Sequence, residues 1–288
     1  MNVLKIRLLV PLALLLVATS APWIRAQDAA AFHVLVFSKT AAFRHPSIAN
    51  GLAAIQALGA AHNFTVDHTE DAALFTDENL AQYQVVVFLN TTGDVLDEAQ
   101  QAAFERFIRT GNGYVGVHSA SDTEYDWPWY GELVGSWFAN HPAIQEATIQ
   151  VVDASHASTS HLPTPWVRTD EWYNFQTALP TAINVLLNLD ESSYSGGQMG
   201  ARHPIAWHHE YDGGRAWYTG MGHTAETYDE LLFRQHLLGG IRWAARQEGA
   251  PTPIPSGTAI TPPPATPTNI ATPGAPDMEK FFLPLIYQ

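Results

Sequence analysis

The chain contains no cysteine. Disulfides, thiolate nucleophiles, thiolate zinc sites and iron–sulfur clusters are therefore excluded, and core packing alone must stabilise the fold. Positive charge is also scarce, with 14 lysines and arginines against 28 aspartates and glutamates and a net charge of −14. Nucleic acids and anionic membranes bind positively charged surfaces, so neither is expected as a partner. Neutral or cationic ligands fit this charge balance better, and a small carbohydrate or a glycan is neutral.

Long apolar runs are absent after the N-terminus. Residues 1–26 carry Lys5 and Arg7, then an apolar run from about Leu8 to Ala18, then small residues. This order is typical of a secretory signal peptide, and the run is too short to span a bilayer comfortably. An uncleaved N-terminal anchor is the alternative. We therefore predict a secreted or cell-surface protein with no integral membrane segment after signal removal.

The C-terminal part of the sequence has the composition of a linker and a tail. Residues 250–276 are rich in proline and threonine, which predicts an extended, disordered linker. Residues 277–288 form a short apolar tail, either a loosely ordered terminus or a docking or sorting segment. The folded domain is expected over residues 32–247, the size of one α/β domain.

The first half of this domain alternates predicted strands and helices. Apolar runs at His33–Ser38 and Gln84–Asn90 predict strands buried on both faces. The segment Leu96–Gly111 has acids at its start and arginine and glycine at its end, as a capped helix should. Shorter aromatic-rich strands and a final helix over Tyr228–Arg246 follow. The pattern predicts an α/β fold with a mostly parallel sheet between helices, and ligands beyond the carboxyl ends of its strands.

Polar side chains follow several predicted strands, and Asp170, Glu171 and Tyr173 are predicted to lie in a loop. Because loops at one edge of a parallel sheet converge, we expect them to share a pocket. Each type has a structural alternative, since histidine before proline is a common turn residue and tryptophan is a common core anchor. The candidates are Arg44 and His45, His118, Ser119 and Asp122, Trp129, His141, Asp170, Glu171 and Tyr173, His203, and His223.

The segment GNGYVGVHSASD, from Gly111 to Asp122, predicts a buried strand over Gly113–Ser119 that ends abruptly among small residues. A nucleophile elbow needs such small neighbours because the turn is sharp and strained. The spacing of a G-x-S-x-G elbow would place the nucleophile at position 118, where this chain has His118. Imidazole serves there as a general base or a metal ligand rather than as a nucleophile. An amidase that uses Ser119 is a weaker alternative.

A metal site is a further hypothesis. His45, His118 and His223 come from separate loops, and with one carboxylate they have the ligand types that Zn²⁺ or a similar divalent ion prefers. No H-x-x-x-H spacing indicates such a site, so a cofactor stays an open expectation.

Six segments carry a resemblance to a known family. FRH, GNGYVGVHSASD, FANHP, DEWYNF, HPIAW and GRAWYTGMGH occur in this order, and over about His33 to Arg246 the sequence resembles the ThuA-like (trehalose-utilisation) proteins. The resemblance implies a class I glutamine-amidotransferase-like fold, a flavodoxin-like three-layer α/β/α sandwich. True amidotransferases carry a cysteine at the elbow, whereas this chain has His118. Amidotransferase activity is therefore not expected.

The resemblance also implies a role in the use of disaccharides and glycosides through 3-keto sugars. It matches recurrent polar positions of the family to His45, His118, Asp170, Glu171 and His223. The sequence departs from the family in the segment DASHASTSHLP, where a usual His-Pro is replaced by His156-Ala157 and His161-Leu162. Which of these two histidines occupies the family position is left open.

A keto sugar suits these residues chemically. A ketone acidifies adjacent C–H bonds, so one base and one electrophile can drive elimination or isomerisation. His118 or Glu171 is the expected base, and Arg44 or a bound metal the expected electrophile. We predict a hydrolase, lyase or isomerase acting on an oxidised glycoside; the alternative is a non-catalytic glycan-binding module displayed on the linker. The catalytic set is His118, Glu171, His45 and His223, and the substrate-binding set is Arg44, Ser119, Asp122, Trp129, Asp170, Tyr173 and His203.

Overall fold

The computed structural model describes residues 32–248. The predicted signal peptide, linker and tail lie outside the described residues. Within them, the strands are β1 (Phe32–Phe37), β2 (Phe64–Thr69), β3 (Val85–Leu89), β4 (Gly113–Val117), β5 (Phe138–Asn140), β6 (Gln145–Val151), β7 (Trp166–Asp170), β8 (Asn174–Phe175), β9 (Asn184–Asp190), β10 (His203–Tyr211) and β11 (Gly214–Thr219). The α-helices are α1 (Ile48–His62), α2 (Asp77–Leu80), α3 (Glu98–Arg109), α4 (Pro128–Val134) and α5 (Leu231–Ala244).

One nine-stranded sheet forms the centre of the domain, in the order β2-β1-β3-β4-β11-β10-β9-β6-β7. The first five strands in this order are parallel to one another. The remaining four continue the sheet in antiparallel pairs, so seven of the nine strands run in the same direction. The predicted mostly parallel sheet, extended by later strands, is confirmed. Strands β5 and β8 form a separate small pair.

Helices cover both faces of the sheet. The β1–α1–β2 and β3–α3–β4 connections extend the sheet in opposite directions, and right-handed crossovers then place α1 and α3 on opposite faces. Helix α5 contacts α1. On the other face, Phe104 of α3 packs against Tyr114 of β4 and Trp129 of α4. The predicted three-layer α/β/α sandwich is confirmed.

The central strands are apolar along their whole length because both of their faces are covered. Every residue of β3 and of β4 is buried, as expected for strands of a doubly covered parallel sheet. Phe88 of β3 contacts the rings of Phe37, Phe104 and Tyr114. Within residues 32–248, no helix is both long and apolar enough to cross a bilayer.

Strand β7 corrects the sequence analysis, which placed Asp170 in a loop. Asp170 is the last residue of β7, and the buried residues of this strand alternate as Trp166, Arg168 and Asp170. Charged residues at inward positions hid the strand pattern. Although β7 is last in the sheet order, Arg168 bonds to Met221 and Thr227, which follow β11. The antiparallel half therefore curls back toward the end of β11.

Candidate functional site

Four polar side chains meet at the carboxyl edge of the sheet. They follow β1, β4, β7 and β11, strands that run in the same direction. The residues are His45, His118, Glu171 and His223, and one ligand atom from each lies within 4.8 Å of the others. We refer to these four residues as the histidine–glutamate cluster. Loops at this edge of a parallel sheet are expected to converge, and for these four residues they do.

His118 stands at a sharp turn directly after β4. Its φ angle is 51°, in the left-handed region that non-glycine residues rarely adopt. The Tyr218 hydroxyl donates to the His118 carbonyl at 2.8 Å and holds this turn. The side chain is fully buried, with Nδ1 2.8 Å from the carbonyl oxygen of Gly220. Because a carbonyl only accepts, Nδ1 carries a proton, and Nε2 faces the cluster.

Glu171 connects the other members of the site. Its Oε2 lies 2.9 Å from His223 Nδ1 and 3.4 Å from His118 Nε2. Its Oε1 lies 3.1 Å from His141 Nδ1. Burial by itself would raise the pKa of Glu171, but the hydrogen bonds and charges of His118 and His223 outweigh it and lower the pKa. Glu171 is therefore a carboxylate near neutral pH.

His45 lies on the inner side of the cluster. Its Nδ1 is 3.3 Å from the buried hydroxyl of Ser119. Its ring centre is 4.8 Å from that of His118 and 5.0 Å from that of His223. Burial, and then the neighbouring charges of His118 and His223, lower the pKa of His45 to about 3. The ring is therefore neutral at physiological pH and has a lone pair available.

Asp170 positions Glu171 and His223 through hydrogen bonds to their backbone. Its fully buried carboxylate accepts hydrogen bonds from the backbone N–H groups of Glu171 at 2.9 Å, Gly222 at 3.0 Å and His223 at 3.1 Å. Arg168 lies 3.4 Å from the same carboxylate. Asp170 therefore ties the end of β7 to the loop after β11 and sets the distance between Glu171 and His223.

Tyr173 and Asp122, two residues predicted to bind substrate, line the same region. The ring of Tyr173 packs on that of His118 with centres 4.3 Å apart. Asp122 accepts a hydrogen bond of 2.6 Å from Tyr125. Burial raises the pKa of Asp122, although the bond from Tyr125 opposes this effect.

His141 joins the site, and the sequence analysis did not include it in the catalytic set. Its Nδ1 faces two acceptors, Glu171 Oε1 at 3.1 Å and the Pro142 carbonyl at 2.9 Å. Nδ1 therefore carries the proton and Nε2 is unprotonated in the neutral ring. The side chain is 41% exposed, so a ligand from solvent can reach the ring. The FANHP segment was the available signal, but its His-Pro was equally typical of a turn.

Two of the predicted binding residues are engaged elsewhere. Arg44 makes two hydrogen bonds to Glu70, at 2.7 and 3.1 Å, and both side chains are largely exposed. Trp129 donates to Asp212, which lies in the turn between β10 and β11. That turn precedes β11 and so lies at the edge of the sheet opposite the cluster. Helix α4 carries Trp129 away from the site, a path that the sequence does not reveal.

His203 is fully buried and supports the site indirectly. Its Nδ1 lies 2.8 Å from Glu191, and its Nε2 lies 2.8 Å from the backbone carbonyl of Tyr173. A buried carbonyl and a carboxylate occupy both ring nitrogens, so His203 fixes the Tyr173 segment rather than facing the cluster.

The two histidines of the divergent DASHASTSHLP segment also lie outside the cluster. His156 packs on His208 with ring centres 4.5 Å apart. His161 bonds to the carbonyl of Leu232 at 3.0 Å. Neither histidine takes part in the site.

An exposed aromatic ring borders the cluster. Phe43 is 60% exposed, and its ring meets that of His45 edge to face at 4.8 Å. Exposed aromatic faces stack on the apolar faces of sugars. Phe43 thus occupies the position beside the cluster that the sequence analysis expected for a tryptophan.

Comparison with known proteins agrees with this architecture. The sequence model of a family described as "ThuA: Trehalose utilisation" matches residues 33–244. A ThuA-like protein of Bacteroides uniformis is 24% identical with a TM-score of 0.65, covering 76% of this chain and 94% of that one. A ThuA-like protein of Parabacteroides merdae is 20% identical with a TM-score of 0.64, covering 78% and 94%. These two similarities show the shared fold. A search of curated proteins finds no match.

Proposed function

We propose, from the premise that this chain belongs to the ThuA trehalose-utilisation family, that it is an exported enzyme acting on an oxidised glycoside or disaccharide. The observation that carries the proposal is the convergence of three imidazoles and one carboxylate within 4.8 Å at the carboxyl edge of the sheet. Perturbed titratable groups gathered at this edge are typical of an active site in an α/β fold.

The reaction that suits these groups is elimination from a 3-keto glycoside. The keto group acidifies the hydrogen on C2, so a base removes that proton and leaves an enolate. The enolate electrons form the C1–C2 double bond and expel the glycosidic oxygen from C1. The departing alkoxide takes up a proton, so the products are an unsaturated keto sugar and an alcohol. Hydration of the unsaturated product would give net hydrolysis.

The residues divide this work between polarising the ketone and moving the proton. Arg44 is bound to Glu70, so we assign polarisation to the histidine–glutamate cluster instead. We assign the proton transfer to His141, because its Nδ1–H is held by Glu171 and its Nε2 is free. This pairing orients the imidazole and stabilises the cation that forms when it takes the proton. Phe43 provides a stacking surface for the sugar ring.

The test uses the full chain with a chromogenic 3-keto glucoside, 3-keto-trehalose and the unoxidised parent sugars. We expect turnover of the keto sugars only, measured as released alcohol. His118→Ala should reduce the rate at least about 100-fold, the scale of a lost catalytic group. The matched control is His33→Ala, which removes an exposed histidine at the amino end of β1 and should leave the rate unchanged.

Two outcomes would contradict the proposal. Sugar binding with no turnover of any keto glycoside would favour the glycan-binding module displayed on the linker. Equal turnover by wild type and His118→Ala would show that the reaction takes place elsewhere. Export has its own readout, since N-terminal sequencing of the secreted protein should find the chain beginning after Ala26.

A further inference from the structure

We propose that the histidine–glutamate cluster binds one divalent transition-metal ion of the zinc class. Three of its ligand atoms already have the required spacing. His118 Nε2 lies 3.1 Å from His223 Nδ1 and 3.4 Å from Glu171 Oε2, and His223 Nδ1 lies 2.9 Å from Glu171 Oε2. Tetrahedral ligands about 2.0–2.1 Å from a zinc ion are about 3.3 Å apart. The three atoms therefore form one face of a coordination tetrahedron.

The fourth ligand is His45. Its ring meets those of His118 and His223 with centres 4.8 and 5.0 Å apart, and its ligand atom lies within 4.8 Å of the other three. Three imidazole nitrogens and one carboxylate oxygen form a donor set that suits zinc, and it suits iron, cobalt or nickel by the same preference for nitrogen. Magnesium and calcium prefer all-oxygen sites and are not expected here.

Neighbouring hydrogen-bond partners orient these side chains for metal coordination. Metal-binding histidines usually donate their second N–H to a carbonyl or a carboxylate, which fixes the tautomer. His118 does so, because its Nδ1 faces the Gly220 carbonyl at 2.8 Å. The second oxygen of Glu171 is held by His141, and Asp170 holds the backbone N–H of His223. Each of the three primary ligands therefore has an outer partner that orients it.

The role of the ion rests on the proposed function, whereas its binding does not. A zinc-class ion can accept a further ligand and polarise a carbonyl oxygen as a Lewis acid. In this site the fifth ligand would be the keto oxygen of the sugar. His141, which is not a ligand, would remain free to move the proton.

The experiment measures bound metal in the full chain without any substrate. Protein purified without chelator, and apoprotein reloaded with Zn²⁺ or Co²⁺, is analysed by elemental mass spectrometry. The Co²⁺ form is also examined by visible absorption. We expect about one ion per chain and the cobalt spectrum of a four-coordinate nitrogen–oxygen site. His223→Ala and Glu171→Gln should reduce ion content at least about tenfold, and His33→Ala should retain it.

Folding of each variant is checked by circular dichroism, and His223→Ala is the more secure variant because its side chain is partly exposed. A wild-type chain that stays empty after Zn²⁺ and Co²⁺ exposure would overturn the metal site. So would a folded His223→Ala that binds as much metal as wild type. Keto-glycoside turnover by a chelator-treated chain without metal would refute the catalytic role of the ion, while the binding site and the proposed function stand. One bound ion without turnover would support the metal and refute the function.

Discussion

At the scale of single residues, Asp170 offers the sharpest test of how the site is positioned. Asp170→Asn keeps the shape of the side chain but puts an amide N–H₂ where backbone N–H groups and Arg168 now find an acceptor. We expect the loop carrying His223 to shift and both kcat and metal affinity to fall about 10- to 100-fold, with KM little changed. Denaturant unfolding should show a loss of about 2 kcal/mol, because a buried N–H group that now donates to the carboxylate loses its acceptor.

The matched control for this prediction is Glu230→Gln. Glu230 is the other carboxylate beside Arg168, at 3.0 Å, but it makes no hydrogen bond to the loop of His223. This variant should lose less than about 1 kcal/mol of stability and leave kcat unchanged. A similar fall in kcat for both variants would mean that Arg168, rather than the Asp170 contacts to the loop, controls the site.

Substitution of Ser119 distinguishes a reaction that uses imidazole from one that uses a serine nucleophile. Its hydroxyl lies 3.3 Å from His45 Nδ1, and it is buried. If Ser119 only supports His45, then Ser119→Ala loses one hydrogen bond, about 1 kcal/mol, and turnover stays within about tenfold of wild type. A fluorophosphonate probe should not label the wild-type chain. Labelling at Ser119, or a loss of about 10⁴-fold or more in kcat, would instead identify a nucleophile. Ser136→Ala removes another buried hydroxyl, which is bonded to Thr177, and is the control.

Glu171 lies in a segment that was predicted as a loop, because strand β7 was not predicted. Residue-level prediction from the sequence worked for His118, because this residue lies at the end of a predicted strand, at the carboxyl edge of the sheet. It did not work for Trp129, whose position depends on the direction of α4, or for Arg44, which finds Glu70 across the fold. His141 was undervalued because its partner Glu171 is thirty positions away in the chain. Pairings of that separation are set by topology.

At the scale of elements, the turn after β4 depends on a close contact inside the strand. A methyl group on Gly116 would lie 2.5 Å from the Tyr114 hydroxyl and 2.9 Å from the ring of Tyr218. Tyr218 holds the carbonyl of His118, so Gly116→Ala should displace the turn. We expect a loss of about 1–3 kcal/mol in unfolding free energy and a fall in kcat per folded molecule.

The control for this element is Gly113→Ala at the start of the same strand. There a methyl group would meet the backbone of Ala244 at 2.4 Å, far from the turn. This variant should also be destabilised but should keep its kcat per folded molecule, measured after correction for the folded fraction. An unchanged kcat in Gly116→Ala would mean that the packing inside β4 does not set the position of His118.

Strands β4 and β7 show why one element was predictable and the other was not. The apolar run of β4 follows from burial on both faces, and the sequence predicted it with an end two residues too late, because His118 already belongs to the turn. The inward positions of β7 include Arg168 and Asp170, which alternation alone assigns to a loop. Their burial is tolerated because Arg168 pairs with Asp170 on the same strand at 3.4 Å and with Glu230, which precedes α5, at 3.0 Å. That compensation exists only in three dimensions.

At the scale of the whole molecule, the β–α alternation and the continuous apolar strands sufficed to predict a covered, mostly parallel sheet. The curl of the antiparallel half was not predictable, because it depends on Arg168 reaching the segment after β11. That curl brings Glu171 to the cluster. The site is therefore complete only when both halves of the sheet have formed.

Histidines buried in the neutral form should make the whole fold sensitive to acid. Burial is the main cause that lowers the pKa of His236 to about 3 and the pKa values of His156 and His208 to about 4. In the unfolded chain these groups titrate near their ordinary value of about 6.5, so below that pH the unfolded state binds more protons. Unfolding free energy is therefore fully retained above about pH 6.5 and falls as the pH drops toward 4. Each histidine contributes up to about 1.4 kcal/mol per pH unit to the slope.

Chemical denaturation of chelator-treated protein at several pH values measures this slope. The amide of His236→Gln can still donate to the Ser158 carbonyl, so this variant should reduce the slope by up to about 1.4 kcal/mol per pH unit. The control His33→Gln changes an exposed histidine and should have the same slope as wild type. A wild-type free energy that stays flat from pH 6.5 to 4.5 would show that these histidines are protonated in the folded state.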